Sequence, residues 1–347
     1  MKQNKIYSLL LCLIFFGCSQ DVDKKKASIK IMTHDSFSIS QDVVKKFEEM
    51  HNTKMIFLKS GDAGEALNKA ILSKNNPMAD IFYGVDNTFL SRAINEDVFI
   101  SYSPINLKNI DKKLKLDKTN KLIPMDYGDV CLNYDIKWFE NNNKKPPLML
   151  EDLILSEYKS LTVVQNPATS SPGLAFLLTT IKRFGQNKYI EFWQKLLTND
   201  LLIVNGWQEA YWKNFTAASN GKRPIVVSYA TSPAAEVFFA EPKTNKAITK
   251  AVIEHGSSFR QIEFAGILKN TKNLKLAKKT MDFLLSKTFQ EDIALQMFML
   301  PVNKDVLLPQ IFVEHVKISN KPSFLEPELI NEKREIWIQE WTHKILQ

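Results

Sequence analysis

The chain has 347 residues, of which 44% are hydrophobic and 24% are charged. This apolar content supports a substantial folded core and excludes an intrinsically disordered, collagen-like or coiled-coil protein, and the length favours two domains. The 46 basic residues outnumber the 38 acidic ones, for a net charge of +8, but nearly all of the basic residues are lysines scattered along the chain. Because base and phosphate readout favours arginine and no nucleic-acid-binding motif is present, no nucleic-acid partner is expected.

The first 17 residues have the pattern of an export signal. Lys2 and Lys5 precede the apolar run from Ile6 to Phe16, which is shorter than the roughly 20 residues that span a bilayer as a helix. The segment ending in Gly17-Cys18 resembles a bacterial lipobox, although Phe15 stands where the pattern prefers leucine. We therefore expect residues 1–17 to be a lipoprotein signal peptide and residues 18–27 a tether. Lipidation at Cys18 would then anchor an exported body on the periplasmic or cell-surface face of a membrane. An ordinary signal peptide is the alternative.

The cysteines agree with this processing. Cys12 leaves with the signal and Cys18 takes the lipid, so Cys131 alone remains in the body of the protein. One cysteine cannot form an internal disulfide, and no Cys/His set has metal-ligand spacing, so no metal is expected. Cys131 lies in an apolar run and is expected to be a buried thiol.

Beyond residue 27, short β-branched or aromatic runs alternate with helical patterns, which is typical of an α/β fold built from βα units. The predicted strands are Ile29–Met32, Met55–Leu58, Ala79–Gly84, Val130–Tyr134, Leu161–Val164, Leu202–Val204 and Ile225–Tyr229. The predicted helices run from about Gln41 to Met50, from Gly61-Asp62 through Ile71, between Pro147 and Leu161, through Leu174–Ile181, between Val204 and Ile225, and from Leu274 to Phe289.

The sequence carries no recognised catalytic motif. Its five histidines form no H-E-x-x-H pattern, and there is neither a G-x-S-x-G elbow nor a P-loop. We therefore expect a protein that is not an enzyme and that needs no cofactor. A secreted enzyme with a triad assembled only in space remains an alternative.

Polar turns and aromatic residues are the informative features. Asp62 precedes a helix, where it either caps the helix or binds a cation. Ser170 and Ser171 precede another, where they either cap it or hold an anion or polar ligand atoms. Trp207, with Tyr211 and Trp212, and Tyr229 on the next strand are either core residues or walls of a ligand site.

These segments together resemble the thiamine-binding solute receptors of bacterial ABC importers. The resemblance lies in Thr33–Phe37, Leu67–Lys69, Ala79-Asp80, Gly84–Asn87, Pro124–Gly128, Asn166–Leu174, Gly206–Tyr211 and Ser228–Pro233, and it extends from about Ile29 to Trp341. It implies a two-lobed periplasmic-binding-protein fold of type 2, with a ligand cleft and hinge between lobes. Lobe 1 would comprise residues 28–125 plus 262–305, and lobe 2 residues 126–261 plus 306–347. The hinge would be crossed near Met125–Gly128 and again near Ile262–Gly266.

The resemblance also implies a site, a ligand and a partner. Thiamine, or a thiamine phosphate, would be the transported ligand, and an ABC permease would receive it from a monomeric, membrane-anchored protein. A carboxylate and aromatic faces suit its permanently charged thiazolium ring. The ligand-binding residues carried over are Asp62, Ala63, Ser170, Ser171, Trp207, Tyr229, Ala230, Thr231 and Ser232, with His34 and Phe298 as secondary contacts.

Three positions depart from the family pattern. The family has tyrosine where His34 stands, tryptophan where Phe298 stands and tyrosine where Ala235 stands. The alternative ligands are therefore a precursor of thiamine, another small organic cation or a metal ion on the same fold. A surface adhesin is a less favoured alternative function. Iron-binding relatives use adjacent tyrosines, whereas Ala230 follows Tyr229.

Overall fold

The structure is a computed structural model that describes residues 27–347. The predicted signal peptide, Cys18 and the tether up to Lys26 lie outside the described residues. Within residues 27–347, no helix has the length and apolar character needed to cross a bilayer.

The first part of the chain alternates strands and helices as the sequence pattern predicts. Helix α1 begins after Ser40, whose hydroxyl accepts from the amide of Val43, and it ends at His51, before Asn52 in the left-handed conformation. The elements are β1 (Ala27–Thr33), α1 (Gln41–His51), β2 (Thr53–Lys59), α2 (Ala63–Leu72), β3 (Ile81–Asp86), α3 (Leu90–Asn95), β4 (Phe99–Ile100), β5 (Ile123–Asp135) and α4 (Ile136–Asn141).

The remainder of the chain contributes shorter strands and the C-terminal helices. Its elements are β6 (Thr162–Gln165), α5 (Ser171–Phe184), α6 (Tyr189–Thr198), β7 (Leu202–Val204), α7 (Trp207–Glu209), β8 (Ile225–Tyr229), α8 (Ser232–Phe239), β9 (Thr249–Val252), β10 (Phe259–Leu268), α9 (Leu274–Leu284), α10 (Lys287–Gln296), β11 (Leu300–Pro301), α11 (Gln310–His315) and α12 (Pro327–Trp341).

The main path of the sheet runs in the order β2-β1-β3-β10-β5-β8-β6-β7. Strands β1, β2 and β3 pair in parallel, as do β6, β7 and β8. The long strands β5 and β10 pair antiparallel with each other and join the two parallel groups. Parallel groups covered by helices are typical of α/β folds, and the observed architecture confirms the predicted α/β class.

Apolar side chains form two large cores, one in each lobe. The first is drawn from residues 29–125 and 262–302, and the second from residues 130–259 and 330–345. Strand β5 leaves the first core at Met125 and enters the second at Val130, while β10 passes between the cores from Phe259 to Ile262. The two cores with two shared strands give the two-lobed architecture that the sequence predicts.

Two predicted helices differ from the observed structure. The single helix expected over Leu274–Phe289 is two helices, because Ser286 caps α10 by accepting from the amide of Phe289. The helix expected between Pro147 and Leu161 is a pair of 3-10 turns, Leu150–Ile154 and Ser156–Tyr158. In the second case Leu150, Leu153 and Tyr158 reach the core from short turns, and their spacing imitates a helical pattern.

Candidate ligand-binding site

Polar side chains from both lobes meet where the two cores part. His34 follows β1, Asp62 precedes α2, and Asp86 ends β3 in the first lobe. Glu263 comes from β10, which both lobes share, and Tyr229 ends β8 in the second lobe. Polar groups at the ends of parallel strands, between two lobes, are where α/β proteins commonly bind small ligands.

A row of side-chain contacts crosses from the first lobe to the second. The His34 Nε2 atom lies 3.2 Å from Glu263 Oε2. Gln261 Nε2 is 3.4 Å from Glu263 Oε1, and the Gln261 side chain lowers the pKa of Tyr229, against the larger effect of burial. The register of β5 and β10 fixes this row, since Glu263 and Gln261 alternate with Ile262 and so share one face of β10.

Acidic side chains around the row shift the pKa values of His34 and Tyr229. Burial opposes the charged form of His34, but Glu263, with Asp62 and Asp35, outweighs burial and raises the pKa of His34. Burial raises the pKa of Tyr229 well above its ordinary value, and Glu263, Asp62 and Asp86 add to this shift. The Tyr229 phenol is therefore neutral and faces several carboxylates.

Two buried carboxyls lie beneath this row. Burial raises the pKa of Asp86 to about 6, although the amide and hydroxyl of Thr88 both donate to its Oδ1. Burial, reinforced by Glu263, raises the pKa of Asp126 well above its ordinary range, and Tyr83 donates to this carboxyl. Burial is the largest cause of both pKa shifts.

Asp62 contacts the second lobe directly. Its Oδ1 atom accepts from the amide of Ala63 at 2.8 Å, which caps α2, and lies 3.4 Å from the hydroxyl of Ser171. Ala63 itself is buried beneath this turn. Asp62 is thus a helix cap, the first of the two interpretations that the sequence left open, and its side chain is exposed.

The start of α5 faces Asp62 from the second lobe. Ser170 occupies the cap position with 6% exposure, and among the described residues its side chain makes no capping bond to the helix. Gly173 allows α5 to approach β6, because a Cβ at this position would lie 2.7 Å from the carbonyl oxygen of Gln165. The Ser170-Ser171 turn is held tightly against the sheet edge.

Trp207 is anchored beside the same edge. Its Nε1 atom donates to Ser228 Oγ at 2.8 Å, and Ser228 Oγ lies 2.9 Å from Ser232 Oγ. The indole stacks on Tyr211 with a centroid distance of 5.0 Å and an interplanar angle of 21°. Tyr211 donates to Glu236, whose pKa is raised to about 7, mainly by burial. Trp207 is half-buried, so one part of the indole packs in the core and the remainder is exposed.

The other predicted residues take different positions. Ala230 and Thr231 are buried at the turn between β8 and α8, where the Thr231 carbonyl accepts from the amide of Ala234. Phe298 lies apart from His34 in the fold, in the left-handed conformation at φ 53°, with its ring 5.3 Å from that of Phe239 and 6.2 Å from that of Phe312. Phe298 therefore contacts the end of α8 from the first lobe.

The structure thus brings His34, Asp62 and Tyr229 into one electrostatic cluster, and it places Ser171 against Asp62. It gathers Trp207 and Ser232 around Ser228, the residue before Tyr229. The predicted ligand-binding residues do not include four polar residues at the centre of this region, Glu263, Gln261, Asp86 and Asp126. A signal was present, since these polar residues interrupt mostly apolar runs in buried strands.

Two surface pockets lie elsewhere. One is at the start of β1 beside Asp80 and Asn273, and the other is at the β7 edge between Asp200 and Arg223. Neither pocket includes a residue of the row between the lobes. Within residues 27–347, no group of three or more His, Cys, Asp or Glu side chains is arranged to hold a metal ion.

Two lobes joined by shared strands, with polar side chains where the lobes meet, are the architecture of the class of solute-binding proteins. Residues 76–332 match the family of bacterial extracellular solute-binding proteins, and the chain belongs to this family. The chain is 31% identical over 327 residues to the thiamine-binding periplasmic protein of Salmonella typhimurium, covering 92% of this chain and 94% of that protein. The protein of the same name from Haemophilus influenzae is 30% identical over 344 residues, covering 97% and 98%.

Solved structures agree with this assignment. A periplasmic thiamin binding protein superposes with a TM-score of 0.78 at 28% identity, covering 92% of this chain and 96% of that one. The ferric binding protein from Campylobacter jejuni superposes with a TM-score of 0.74 at 19% identity, covering 91% and 99%. At that identity the second similarity describes the fold alone.

Proposed function

We propose that this protein binds thiamine, or a thiamine phosphate, between its lobes and delivers it to an ABC permease. The observation that carries the proposal is the meeting of two acidic side chains, Asp62 and Glu263, with the neutral phenol of Tyr229 between the lobes. Its relatives at about 30% identity are thiamine-binding periplasmic proteins over nearly their whole length. The protein acts by binding and closing, and catalyses no reaction.

The chemistry of the cleft matches each part of thiamine. Carboxylates stabilise the permanently charged thiazolium ring, and the faces of Trp207 and Tyr229 add cation–π attraction of about 0.5–2 kcal/mol each. Glu263, Gln261 and Tyr229 provide hydrogen-bonding groups for the aminopyrimidine ring. A phosphate ester would extend toward Ser170 and Ser171, since a helix N-terminus favours an anion. Ala63, Ala230, Thr231 and Ser232 would shape the walls, with His34 and Phe298 as secondary contacts.

The lobes are proposed to open and close about the shared strands. Lobe 1 comprises residues 28–125 plus 262–305 and lobe 2 residues 126–261 plus 306–347, with the hinge in β5 and β10. Support comes from the passage of both strands between the two cores. Ligand that binds the closed form better shifts the protein toward it, and the permease then recognises that form.

The cellular setting follows from the relatives and the N-terminal sequence. The protein is exported and works outside the cytoplasm, as the names of its relatives indicate for them. We infer that it is a monomer anchored by lipid at Cys18, with residues 1–17 removed. Mass spectrometry of the membrane-extracted protein tests the anchor, and an unmodified Cys18 or cleavage at another residue would contradict it.

Calorimetric titration tests the ligand. Purified soluble protein starting at residue 27 is titrated with thiamine, thiamine monophosphate and thiamine diphosphate, and with choline as a small organic cation that lacks the pyrimidine ring. Saturable one-to-one binding of at least one thiamine compound, tighter than that of choline, is the expected result. No binding of any thiamine compound at micromolar concentration would overturn the assignment.

A further inference from the structure

One buried side chain of the C-terminal helix reaches from the second lobe to the first. Ile330, Trp337 and Trp341 of α12 pack in the second core. Arg334 lies on the same helix with 4% exposure. Its guanidinium carbon is 4.3 Å from the centroid of the Phe89 ring, and its Nη1 atom donates to the carbonyl of Thr88 at 3.3 Å. Thr88 and Phe89 belong to the first lobe, just after β3.

The residues that Arg334 contacts support the ligand site. Phe89 packs against α2, because a Cβ at Gly64 would lie 2.9 Å from Phe89 Cζ. Gly64 is in the first turn of α2, which Asp62 caps. Thr88 donates through its amide and hydroxyl to Asp86 Oδ1, at 2.7 and 2.5 Å. Arg334 therefore touches the two residues that hold Asp62 and Asp86 in place.

The partners of Arg334 fall into two groups. A buried guanidinium requires partners for its charge and its donors. Glu335 on the same helix supplies one, with its Oε1 atom 2.8 Å from Arg334 Nη2. Thr88 and Phe89 supply the rest from the other lobe. The pair with Glu335 lies within one helix, whereas the contacts with Thr88 and Phe89 join the two lobes.

The 86–89 segment is also fixed to the shared strand. The amide of Asn87 donates to the Ile262 carbonyl at 3.0 Å, and the Ile262 amide donates to Asn87 Oδ1 at 3.0 Å. Asn87 Nδ2 donates to the Arg260 carbonyl at 3.0 Å. These hydrogen bonds hold the segment that contains Thr88 to β10, the strand that carries Gln261 and Glu263 of the site.

We propose that Arg334 is a positioning residue that couples closure of the lobes to the ligand site. On closure, the guanidinium docks on Phe89 and Thr88 and fixes the two turns that present Asp62 and Asp86. Arg334 does not touch the ligand, and its contribution to affinity passes through these turns. This role rests on the proposed function of the cleft as the ligand site.

The test compares Arg334→Met, Arg334→Lys and Phe89→Leu with the control Glu335→Gln, which removes the ion pair and leaves the contact between lobes. Calorimetry measures thiamine affinity, and hydrogen–deuterium exchange follows amides in residues 62–66 and 86–89. Arg334→Met and Phe89→Leu should each weaken affinity about tenfold and speed exchange in these segments. Arg334→Lys should have a smaller effect than Arg334→Met on affinity and on exchange, because lysine keeps the positive charge but lacks the planar guanidinium. Glu335→Gln should stay within about twofold of the wild type.

Unchanged affinity and unchanged exchange in Arg334→Met would overturn the proposal. Faster exchange spread over the whole second lobe, including peptides around Trp193, would also overturn it, since it would show that Arg334 only stabilises α12. The exchange measurement needs no ligand. If the wild type failed to bind thiamine while Arg334→Met still loosened residues 62–66 and 86–89, the ligand assignment would fail and the coupling would stand.

Discussion

The hydroxyl of Ser171 lies 3.4 Å from Oδ1 of Asp62, across the gap between the two lobes. Ser171 opens α5 in the second lobe, and Asp62 caps α2 in the first. The two helix starts therefore face each other, one with a carboxylate and the other with hydroxyls and backbone amides. A ligand with a cationic ring and a polar or phosphorylated tail could place the ring beside the carboxylate and the tail beside the hydroxyls and amides.

The charge of Asp62 is expected to contribute directly to affinity. Asp62→Asn should weaken thiamine binding about tenfold, equivalent to about 1.4 kcal/mol, because the carboxylate attracts the thiazolium charge. Asparagine is as good a helix cap as aspartate, so the melting temperature of the empty protein should hardly change. Calorimetry and thermal melting measure the two effects.

Asp42→Asn is the matched control for Asp62→Asn. Asp42 is also an exposed aspartate at a helix start, but it lies in the first turn of α1, and its substitution removes the same charge. Equal loss of affinity in both variants would show that net charge matters rather than the position of Asp62.

Ligand binding is expected to change the fluorescence of Trp207. The chain has six tryptophans, and Trp207 is the one anchored to Ser228 beside the site. Trp207→Phe should abolish most of the thiamine-induced fluorescence change and weaken binding severalfold, because phenylalanine has a weaker π face and no N–H. The lost hydrogen bond should lower stability by about 1 kcal/mol.

Trp212→Phe serves as the comparison for Trp207→Phe. Trp212 packs edge-on against Trp207 and is 53% exposed. The Trp212→Phe variant should retain both the ligand-induced fluorescence change and the affinity for thiamine. A fluorescence change that survives in Trp207→Phe and disappears in Trp212→Phe would show that the ligand lies beside Trp212, and would contradict the proposed contact with Trp207.

Gly173 is expected to be required for the packing of α5. A Cβ there would lie 2.7 Å from the Gln165 carbonyl and 2.9 Å from the Asn166 carbonyl. Gly173→Ala should destabilise the protein by about 1–3 kcal/mol in urea unfolding and shift the Ser170-Ser171 turn. Gly206→Ala is the control, since among the described residues no atom lies within 4 Å of a Cβ built there, and an equal loss in both variants would exclude the steric reason.

Stability is expected to fall as pH rises from about 4.5 to about 7. Burial raises the pKa of Glu236 to about 7 against an ordinary value of 4.5, with Tyr211 and Thr249 donating to it and Asp135 nearby. The folded state then holds a proton that the unfolded state releases. This contribution is complete below about pH 4.5 and is lost as pH rises to about 7, with a slope approaching 1.4 kcal/mol per pH unit.

Glu236→Gln isolates that pH dependence. Urea unfolding between pH 5 and 8 should show a flatter profile for Glu236→Gln than for the wild type. The exposed Glu241, on the loop after α8, gives the comparison variant Glu241→Gln, whose profile should match the wild type. A wild-type slope that persists in Glu236→Gln would assign the proton to another group, such as Asp86.

The sequence predicts local structure well and the centre of the site poorly, for a physical reason. Strands such as Leu202–Val204 and Ile225–Tyr229 are recognisable because their β-branched residues report burial locally. Glu263 meets His34 from 229 positions away, and only the pairing of β10 with β3 and β5 brings them together. The helix cap at Asp62 has a local signature, and its predicted ligand role came from the family resemblance, whereas no local pattern specifies a partner across the sheet.

The most direct test of thiamine binding between the lobes is a crystal structure of the complex. The expected result places the thiazolium ring between Asp62 and the aromatic faces of Trp207 and Tyr229, with the pyrimidine ring hydrogen-bonded to the row that includes Glu263. A phosphorylated ligand should direct its phosphate toward Ser170 and Ser171. Thiamine bound outside the cleft, or an empty cleft in crystals saturated with thiamine, would contradict the proposed site.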